Sequence, residues 1–414
     1  MIYILLLLAF VGILISKVLV KGSGNPFQIY FGVWFSIFVI YALTKDSWIQ
    51  LPFNVYLMLI VNIVIWMLGL LIYTNLLSDH KITNYFDQRN RLRFNARLLN
   101  LLILASLAAS PFVLMTALKL AGGESLLTVE GYTALRRSLV SGSGYGVLAY
   151  FVPLSFVLSS IVLFRIFRRE ATLFEILTAI PLSIFYAYTA TGRGFFLMLA
   201  VMTVSPLVIY RYLRVSGLIL VALIFLSLFI LISYLTSKGI QQGVSVSGNY
   251  TSFVLSLRSY TVAPLLAFGV MIDNINTYSY GAHVFRIIYA AMNAIGFDYN
   301  IVPLVKGYVR VPDLTNVYTV YDPYFRDFGV IGVHVFTLII MSFHLVLYRF
   351  FLIKGGWVAF YYGATLFPLI MQFFQDMYFS LMSMWIQICI WYYILVKTSP
   401  KFGGEKRQIK LRHK

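Results

Sequence analysis

Three short motifs of this chain contain the residue types that anion and sugar chemistry requires. The first is the turn Thr191-Gly192-Arg193-Gly194, which places one arginine between two apolar runs. Glycines allow a tight turn and leave backbone N–H groups open to an anion. The arginine fork donates two parallel hydrogen bonds to a phosphate and keeps its charge at every accessible pH. The turn therefore predicts a phosphate contact, or else a plain hairpin turn between helices.

The second motif is a polar and aromatic segment, residues 315–329, that directly precedes an apolar run. Tyrosine rings stack on the C–H faces of sugars, and hydroxyl and amide groups form hydrogen bonds with sugar hydroxyls. We expect sugar contacts from Asn316, Tyr318, Tyr321 and Tyr324. The alternative interpretation is an aromatic belt at the membrane interface combined with a helix cap.

The third motif contains a histidine and an arginine three residues apart, His283 and Arg286. This spacing would place both side chains on one face of a helix. Histidine titrates closest to neutral pH, so His283 is the first candidate for a general base. Asp327 and Asp322 are the alternatives, because a carboxylate beside Arg326 would stay ionised, although that arginine also lowers its basicity.

Composition identifies lipid as the solvent of the elements that carry these motifs. Of the 414 residues, 60% are hydrophobic and 11% are charged, about half the charged share of a soluble domain. This excludes a cytosolic enzyme, a secreted disulfide-rich protein and a nucleic-acid-binding module. Runs without Asp, Glu, Lys or Arg predict an all-α polytopic integral membrane protein with about 11 transmembrane helices (10–12). These runs are 1–16, 22–44, 47–78, 98–118, 138–164, 176–192, 194–210, 215–237, 328–348, 355–375 and 377–396.

The basic residues predict the orientation of these spans. With the C-terminus inside, most of the 32 basic residues fall in short inner loops or in the tail, as the positive-inside rule requires. The chain then divides into transmembrane helices 1–8 (1–235), a large outer loop (236–328), helices 9–11 (329–396) and a basic cytoplasmic tail (397–414). The charge-free run Ser259–Ile272 of the loop predicts an interfacial or re-entrant helix.

Seven arginines remain on the outer side, against the positive-inside rule, and their position predicts an anionic partner. At the outer edge of a membrane the available anions are lipid headgroups and lipid-linked pyrophosphates. The alternative is that these arginines snorkel to headgroups or pair with nearby aspartates. The predicted pyrophosphate-binding set consists of Arg136, Arg137, Arg193, Arg258, Arg286, Arg310 and Arg326.

Several nucleotide and metal motifs are absent from the sequence. It contains no GxxxxGK[ST], GxGxxG or DxD motif, and neither HExxH nor CxxC occurs. Nothing in the sequence therefore supports an ATP-driven pump, a nucleotide-sugar transferase or a metal site. We expect no cofactor.

These residues resemble the O-antigen polymerase (Wzy-type) family of oligosaccharide repeat-unit polymerases. The resemblance lies in the number of spans, a large outer loop late in the chain, the Thr-Gly-Arg-Gly turn, and the segment Thr-Asn-Val-Tyr-Thr to Arg-Asp-Phe-Gly-x-x-Gly. Some members also carry Arg-x10-Gly in an outer loop, and Arg258 and Gly269 have that spacing. The companion Arg-x15-Gly pattern is absent.

The resemblance implies a metal-independent glycosyltransferase of the polytopic C type in the inner membrane of a Gram-negative bacterium, with its site facing the periplasm. Such an enzyme moves the growing polysaccharide from undecaprenyl pyrophosphate onto a new lipid-linked repeat unit. Its implied partners are the lipid-linked donor and acceptor, membrane lipid and a polysaccharide chain-length regulator. Two alternatives stay open: an O-antigen ligase-like transferase with lipid A core as acceptor, and a lipid-linked oligosaccharide flippase, which is not an enzyme.

Overall fold

The structure is a computed structural model that describes residues 1–20, 22, 24–77, 92–213, 227, 246–312 and 314–398, with backbone only for 76–77, 246–259 and 398. Within these ranges the chain is mostly helical, with four short strands, which confirms the predicted all-α class. The predicted eighth span, 215–237, and the predicted tail, 397–414, lie almost wholly outside the described residues.

Thirteen α-helices follow one another through the described ranges. They are α1 (Ile2–Leu19), α2 (Pro26–Thr44), α3 (Phe53–Ile72), α4 (Ala96–Leu120), α5 (Val129–Val140), α6 (Phe151–Phe167), α7 (Leu173–Thr189), α8 (Arg193–Ile209), α9 (Val246–Asn274), α10 (Arg286–Ala294), α11 (Asp322–Lys354), α12 (Gly356–Ile370) and α13 (Met382–Leu395). The strands are β1 (Leu92–Phe94), β2 (Val309–Arg310), β3 (Leu314–Thr315) and β4 (Val396–Thr398).

Six of the described helical segments are long and apolar enough to cross a membrane. In lipid, every backbone polar group needs an internal partner, and helices supply it. Shorter apolar helices are α7, α8 and α13. The chain is therefore a multi-pass membrane protein, and the total of eleven spans stays a prediction. The six segments are Ile2–Leu19, Pro26–Ser47, Phe53–Asn75, Ala96–Leu120, Gly146–Phe167 and Asp322–Lys354.

The predicted span 138–164 is divided in the structure. Its first residues belong to α5, and two glycines with left-handed backbone then interrupt the helix, Gly142 with φ 103° and Gly146 with φ 55°. Such φ values end a helix and are easily adopted only by glycine. The apolar helix therefore resumes as a 3-10 turn at 146–150 and continues as α6.

One end of the bundle is closed by a small antiparallel sheet of β1 and β4. Arg168 at the end of α6 donates from Nη1 to the Leu92 carbonyl at 2.9 Å. Arg165 pairs with Glu175, and Glu175 also completes a capping box with Thr172 at the start of α7. Arg165, Arg168 and Glu175 thus all have partners here. We call this end of the bundle the sheet end.

The opposite end of the bundle carries the predicted anion-binding turn. Because α6 and α7 pack closely and their connection lies at the sheet end, the C-terminus of α7 reaches the other end. There Tyr145 donates to the Thr189 carbonyl at 2.8 Å, and Arg136 donates to the Thr191 carbonyl at 2.7 Å. We call this the site end.

The predicted outer loop includes a long packed helix. The charge-free run 259–272 is helical, as predicted, but the helix α9 is 29 residues long and begins at Val246. Val262, Ala263, Leu266 and Phe268 are fully buried, and α9 packs against α2. The sequence pattern underestimated this helix because Arg258 interrupts its apolar run.

Candidate functional site

The first turns of α11 form a separate half-helix because Gly329 breaks the helix with φ 64° and ψ −153°. A Cβ atom at Gly329 would lie 2.7 Å from the Tyr278 hydroxyl, so neither the backbone nor the space admits a side chain. The break leaves two carbonyls available outside the helix. Ser279 N–H donates to the Arg326 carbonyl at 2.9 Å, and Tyr280 N–H donates to the Asp327 carbonyl at 3.2 Å.

The Asp327 carboxylate fastens the adjoining turn to this half-helix. It accepts from the His283 N–H at 3.1 and 3.2 Å and from the Val284 N–H at 2.8 Å. Asp327 is fully buried and does not line the cavity beside it. Its oxygens are occupied by backbone donors, which makes it a positioning group and argues against the predicted role as a base.

His283 does not share a helix face with Arg286, contrary to the prediction. It lies in a turn, and α10 begins only at Arg286, because the Asp327 carboxylate holds the 283–284 backbone outside the helix. His283 Nδ1 is 2.5 Å from Lys306 Nζ. Burial, and then the charges of Lys306 and Arg326, lower the pKa of His283 to about 3.

This pKa makes His283 a poor base at neutral pH. A lysine ammonium can only donate, so the neutral imidazole accepts at Nδ1 and carries its proton on Nε2. Neither nitrogen then has a lone pair for a substrate hydroxyl. His283 instead orients Lys306, whose own pKa is lowered by burial while Asp322 acts in the opposite direction.

A polar cavity of about 80 Å³ lies between these groups and the loop before α13. His283, Lys306 and Asp322 line it, together with Arg286, whose Nε donates to the Val302 carbonyl at 2.9 Å. Asp322 Oδ1 accepts from Arg326 Nε at 2.7 Å, and its Oδ2 is 3.8 Å from Lys306 Nζ. Among the three predicted bases, Asp322 is the one that both lines the cavity and has an oxygen without a close donor in the described part of the chain.

Two of the four predicted sugar contacts line this cavity, Asn316 and Tyr318. The Tyr318 hydroxyl donates to the Gly307 carbonyl at 2.8 Å, and the Arg326 guanidinium lies 5.4 Å from its ring centre. The hydrogen bond to Gly307 and the guanidinium of Arg326 together hold the Tyr318 ring in place at the cavity wall.

The other two predicted sugar contacts belong to the protein interior. Tyr321 is 2% exposed and stacks on Trp34 at 5.6 Å, and Tyr324 is fully buried and stacks on Phe336 at 4.8 Å. The predicted role is wrong for both, because the half-helix turns them toward the aromatic core. Tyr324 instead donates to Asp376 at 2.9 Å.

A second, more apolar cavity of about 290 Å³ lies beside the first, at the start of α8. The predicted turn is confirmed: α7 ends at Thr189, and α8 begins at Arg193 with Gly192 as its N-cap. Arg136, Gly192, Arg193 and Gly194 line the cavity, and the Arg193 guanidinium lies 5.3 Å from the Tyr260 ring centre. No acidic residue is among the lining side chains of this arginine cavity within the described ranges.

The predicted arginines thus divide between two cavities and do not meet at one point. Arg136 and Arg193 line the arginine cavity, Arg286 lines the polar cavity, and Arg326 lies behind Tyr318 and Asp322. Two more are exposed and line neither cavity, Arg137 and Arg310, because each lies on the outward side of its element. Arg258 lies in α9, but its side chain is outside the described part of the structure.

Sequence reasoning missed three residues of the site, Lys306, Gln375 and Asp376. Asp376 accepts from the Tyr324 and Ser380 hydroxyls, both at 2.9 Å, and from three backbone N–H groups. The signal for Asp376 was its position as the one acid between the last two apolar runs. Lys306 had only the general signal of a basic residue on the outer side, against the positive-inside rule, because only the fold brings it to His283.

The two cavities share one wall, formed by Leu304, Gln375 and Leu381. An anion beside Arg193 and a hydroxyl beside Asp322 would therefore be neighbours across that wall. Within the described ranges, no three His, Cys, Asp or Glu side chains group as metal ligands would.

Comparisons of this chain with protein-family models, with curated proteins and with solved structures found no match.

Proposed function

We propose that this protein is a membrane glycosyltransferase that polymerises oligosaccharide repeat units linked to undecaprenyl pyrophosphate, as in O-antigen or a related surface polysaccharide. In this proposal the site end faces the periplasm of a Gram-negative cell, at its inner membrane. The observation that carries the proposal is the shared wall of the arginine cavity and the polar cavity. The motifs of the Thr-Gly-Arg-Gly turn and of residues 315–329 support it from the sequence.

The arginine cavity suits the pyrophosphate of the donor. As the bond between the sugar and the phosphate breaks, negative charge spreads over the pyrophosphate oxygens. Arg136 and Arg193 are held by Thr191 and Tyr260, so their charges are in place before the reaction and need no reorganisation. The N-terminus of α8 adds backbone N–H groups and a favourable dipole.

The polar cavity suits the hydroxyl of the acceptor sugar, with Asp322 as the base. The acceptor oxygen forms a bond with the anomeric carbon of the donor, and its proton passes to the Asp322 carboxylate. The anomeric carbon–oxygen bond breaks, and its electron pair leaves with undecaprenyl pyrophosphate. A direct displacement of this kind inverts the anomeric centre, and Asn316 and Tyr318 orient the sugar.

The roles of His283 and Asp327 change in this scheme. Asp327 fixes the turn that carries His283, and His283 accepts from Lys306 and directs it toward Asp322. Lys306 contributes positive charge to the cavity. Neither His283 nor Asp327 has to exchange a proton with the substrate.

The test replaces arginine by lysine at the two arginines of the arginine cavity, one position at a time. Arg136→Lys and Arg193→Lys keep the charge but remove the bidentate fork. We expect each to slow polymerisation by about tenfold or more and to shorten the polysaccharide ladder, a loss equivalent to about 1.4 kcal/mol of transition-state binding.

Arg137→Lys is the matched control, because Arg137 neighbours Arg136 in the sequence but is exposed. It should leave the ladder unchanged. Equal effects at 136 and 137, or full-length polymer from Arg193→Lys and Arg136→Lys, would refute the pyrophosphate assignment. Transfer of finished chains to lipid A core without elongation would favour the ligase-like alternative.

A further inference from the structure

One polar side chain borders both cavities of the proposed active site. The wall that the cavities share consists of Leu304, Gln375 and Leu381, and among these three only the glutamine has hydrogen-bonding groups in its side chain. Gln375 is partly exposed, so its amide is accessible to a bound molecule. A substrate that occupies both cavities at once must pass along this side chain.

The backbone on both sides of Gln375 is fixed by hydrogen bonds. Its own N–H donates to the Met371 carbonyl at 3.2 Å. On the C-terminal side, the Asp376 carboxylate accepts from the backbone N–H groups of Tyr378 and Ser380, both at 2.9 Å. The loop therefore holds the Gln375 main chain at the shared wall before any substrate binds, which lowers the entropic cost of a contact made there.

The side-chain amide of Gln375 has hydrogen-bonding capacity left for a ligand. Its Nε2 lies 3.6 Å from the Met377 sulfur, which is a weak acceptor, and its carbonyl oxygen has no hydrogen-bond donor among the described residues. An amide has N–H donors and an accepting oxygen, so it pairs well with groups that both donate and accept. The hydroxyl and acetamido substituents of sugars are such groups, whereas a hydrocarbon chain has none.

The proposed reaction places the anomeric carbon of the donor beside Gln375. This carbon is bonded to the pyrophosphate in the arginine cavity and is attacked by a hydroxyl in the polar cavity, so it must lie at the shared wall. Two groups adjoin the anomeric carbon on the sugar, the ring oxygen and carbon 2 with its substituent. The ring oxygen becomes electron-poor as the bond breaks and is then a poor acceptor. The substituent on carbon 2 remains the better partner for an amide.

We propose that Gln375 determines donor specificity by forming hydrogen bonds with the hydroxyl or acetamido substituent on carbon 2 of the transferred sugar. The inference rests on the proposed function and names the part of the donor that the site recognises. Hydrogen bonds to this position strengthen in the transition state of glycosyl chemistry. Leu304 and Leu381, the other members of the wall, have no side-chain group that could compete for it.

The test is a competition between two donors in one reaction. The first is the lipid-linked repeat unit that accumulates in cells lacking this chain, and the second is a synthetic analogue with hydrogen in place of the substituent on carbon 2 of its pyrophosphate-linked sugar. Mass spectrometry of the sugar that joins two repeat units gives the ratio of kcat/KM for the two donors, whatever the amount of folded protein. We expect the unsubstituted protein to prefer the natural donor by about tenfold or more.

Gln375→Leu keeps the approximate volume of the side chain and removes both groups of the amide. With the natural donor kcat/KM should fall by about tenfold, and with the analogue it should not change, so the preference disappears. Gln387→Leu on α13 is the matched control, because Gln387 lines neither cavity and its amide donates to the Ser383 carbonyl at 3.3 Å. The control should keep the full preference.

Thermal unfolding in detergent separates this inference from the proposed function, because binding needs no turnover. The natural lipid should raise the Tm of the unsubstituted protein more than the analogue does, whereas the two lipids should raise the Tm of Gln375→Leu equally. This pattern without any elongation would leave the Gln375 contact assigned and the proposed function refuted. Elongation with the same donor preference in the unsubstituted protein and in Gln375→Leu would refute the contact and leave the proposed function intact.

Discussion

Beside the polar cavity, the partners of Lys306, Asp322 and Arg326 decide what each of these charged side chains can do. Lys306 lies between the His283 ring and Asp322, and Arg326 donates to the other oxygen of Asp322. Asp322 Oδ1 is thus taken up by Arg326, whereas its Oδ2 lies 3.8 Å from Lys306 Nζ and is the oxygen open to a substrate hydroxyl.

The pH dependence of the rate distinguishes His283 from Asp322 as the base. With a pKa of about 3, His283 stays neutral from about pH 5 to 8 and should contribute no acidic limb to the profile. His283→Gln keeps an acceptor for Lys306, so we expect a profile of the same form as that of the unsubstituted protein and a rate within about tenfold of it. The measurement is initial polymerisation rate against pH for both proteins.

A base with an ordinary histidine pKa would behave differently. The rate would fall about tenfold per pH unit below about 6.5. His283→Gln would then remove that limb and lower the rate by about 10²–10⁴. That result would return the role of base to His283.

At the scale of elements, the site depends on the break in α11 at Gly329. The break directs the Arg326 and Asp327 carbonyls toward Ser279 and Tyr280, and so docks the turn that carries His283. It also separates the half-helix from the apolar part of α11, which lets Asp322 face the cavity while Tyr324 faces the core.

Substitution of Gly329 by alanine should therefore undock the turn that carries His283 from the half-helix. The backbone at this position is confined essentially to glycine, and a Cβ would also meet the Tyr278 hydroxyl. We expect Gly329→Ala to lower the free energy of unfolding by about 1–3 kcal/mol and to shorten the polymer ladder. Thermal unfolding in detergent, together with ladder length in cells, measures both.

Gly32→Ala is the control for this substitution. Gly32 lies inside α2, and a Cβ there would meet nothing within 4 Å, so alanine should be neutral or stabilising by up to about 1 kcal/mol. Equal stability of the two variants would show that the Gly329 break is not required.

The sequence predicted those features of the elements that depend on local patterns. Apolar runs predicted the helices, and glycine spacing predicted the turn between α7 and α8. The assignment of His283 to a helix failed because Asp327, 44 residues away, holds the backbone of its turn. The sugar-binding role of Tyr321 and Tyr324 failed because the direction of the half-helix depends on one glycine φ angle, which composition does not reveal.

At the scale of the whole molecule, charge separates the two ends of the bundle. At the sheet end, Arg165 and Arg168 form ion pairs with Glu175 and Glu170. At the site end, the arginine cavity has no lining acid among the described residues, and the polar cavity opens beside it. This asymmetry agrees with the proposal that one end recognises an anionic lipid-linked substrate and the other follows the positive-inside rule.

The most direct test is reconstitution of the purified protein in vesicles with the lipid-linked repeat units that accumulate in cells lacking this chain. The unsubstituted protein should convert them into a ladder of products spaced by one repeat unit. Asp322→Asn keeps an oxygen for Arg326 but cannot accept the hydroxyl proton. This variant should therefore bind the substrate but polymerise it about 10²–10⁴-fold more slowly. The exposed Asp273→Asn should have no effect. A ladder from Asp322→Asn at the full rate, or no elongation by the unsubstituted protein, would contradict the proposed glycosyl transfer.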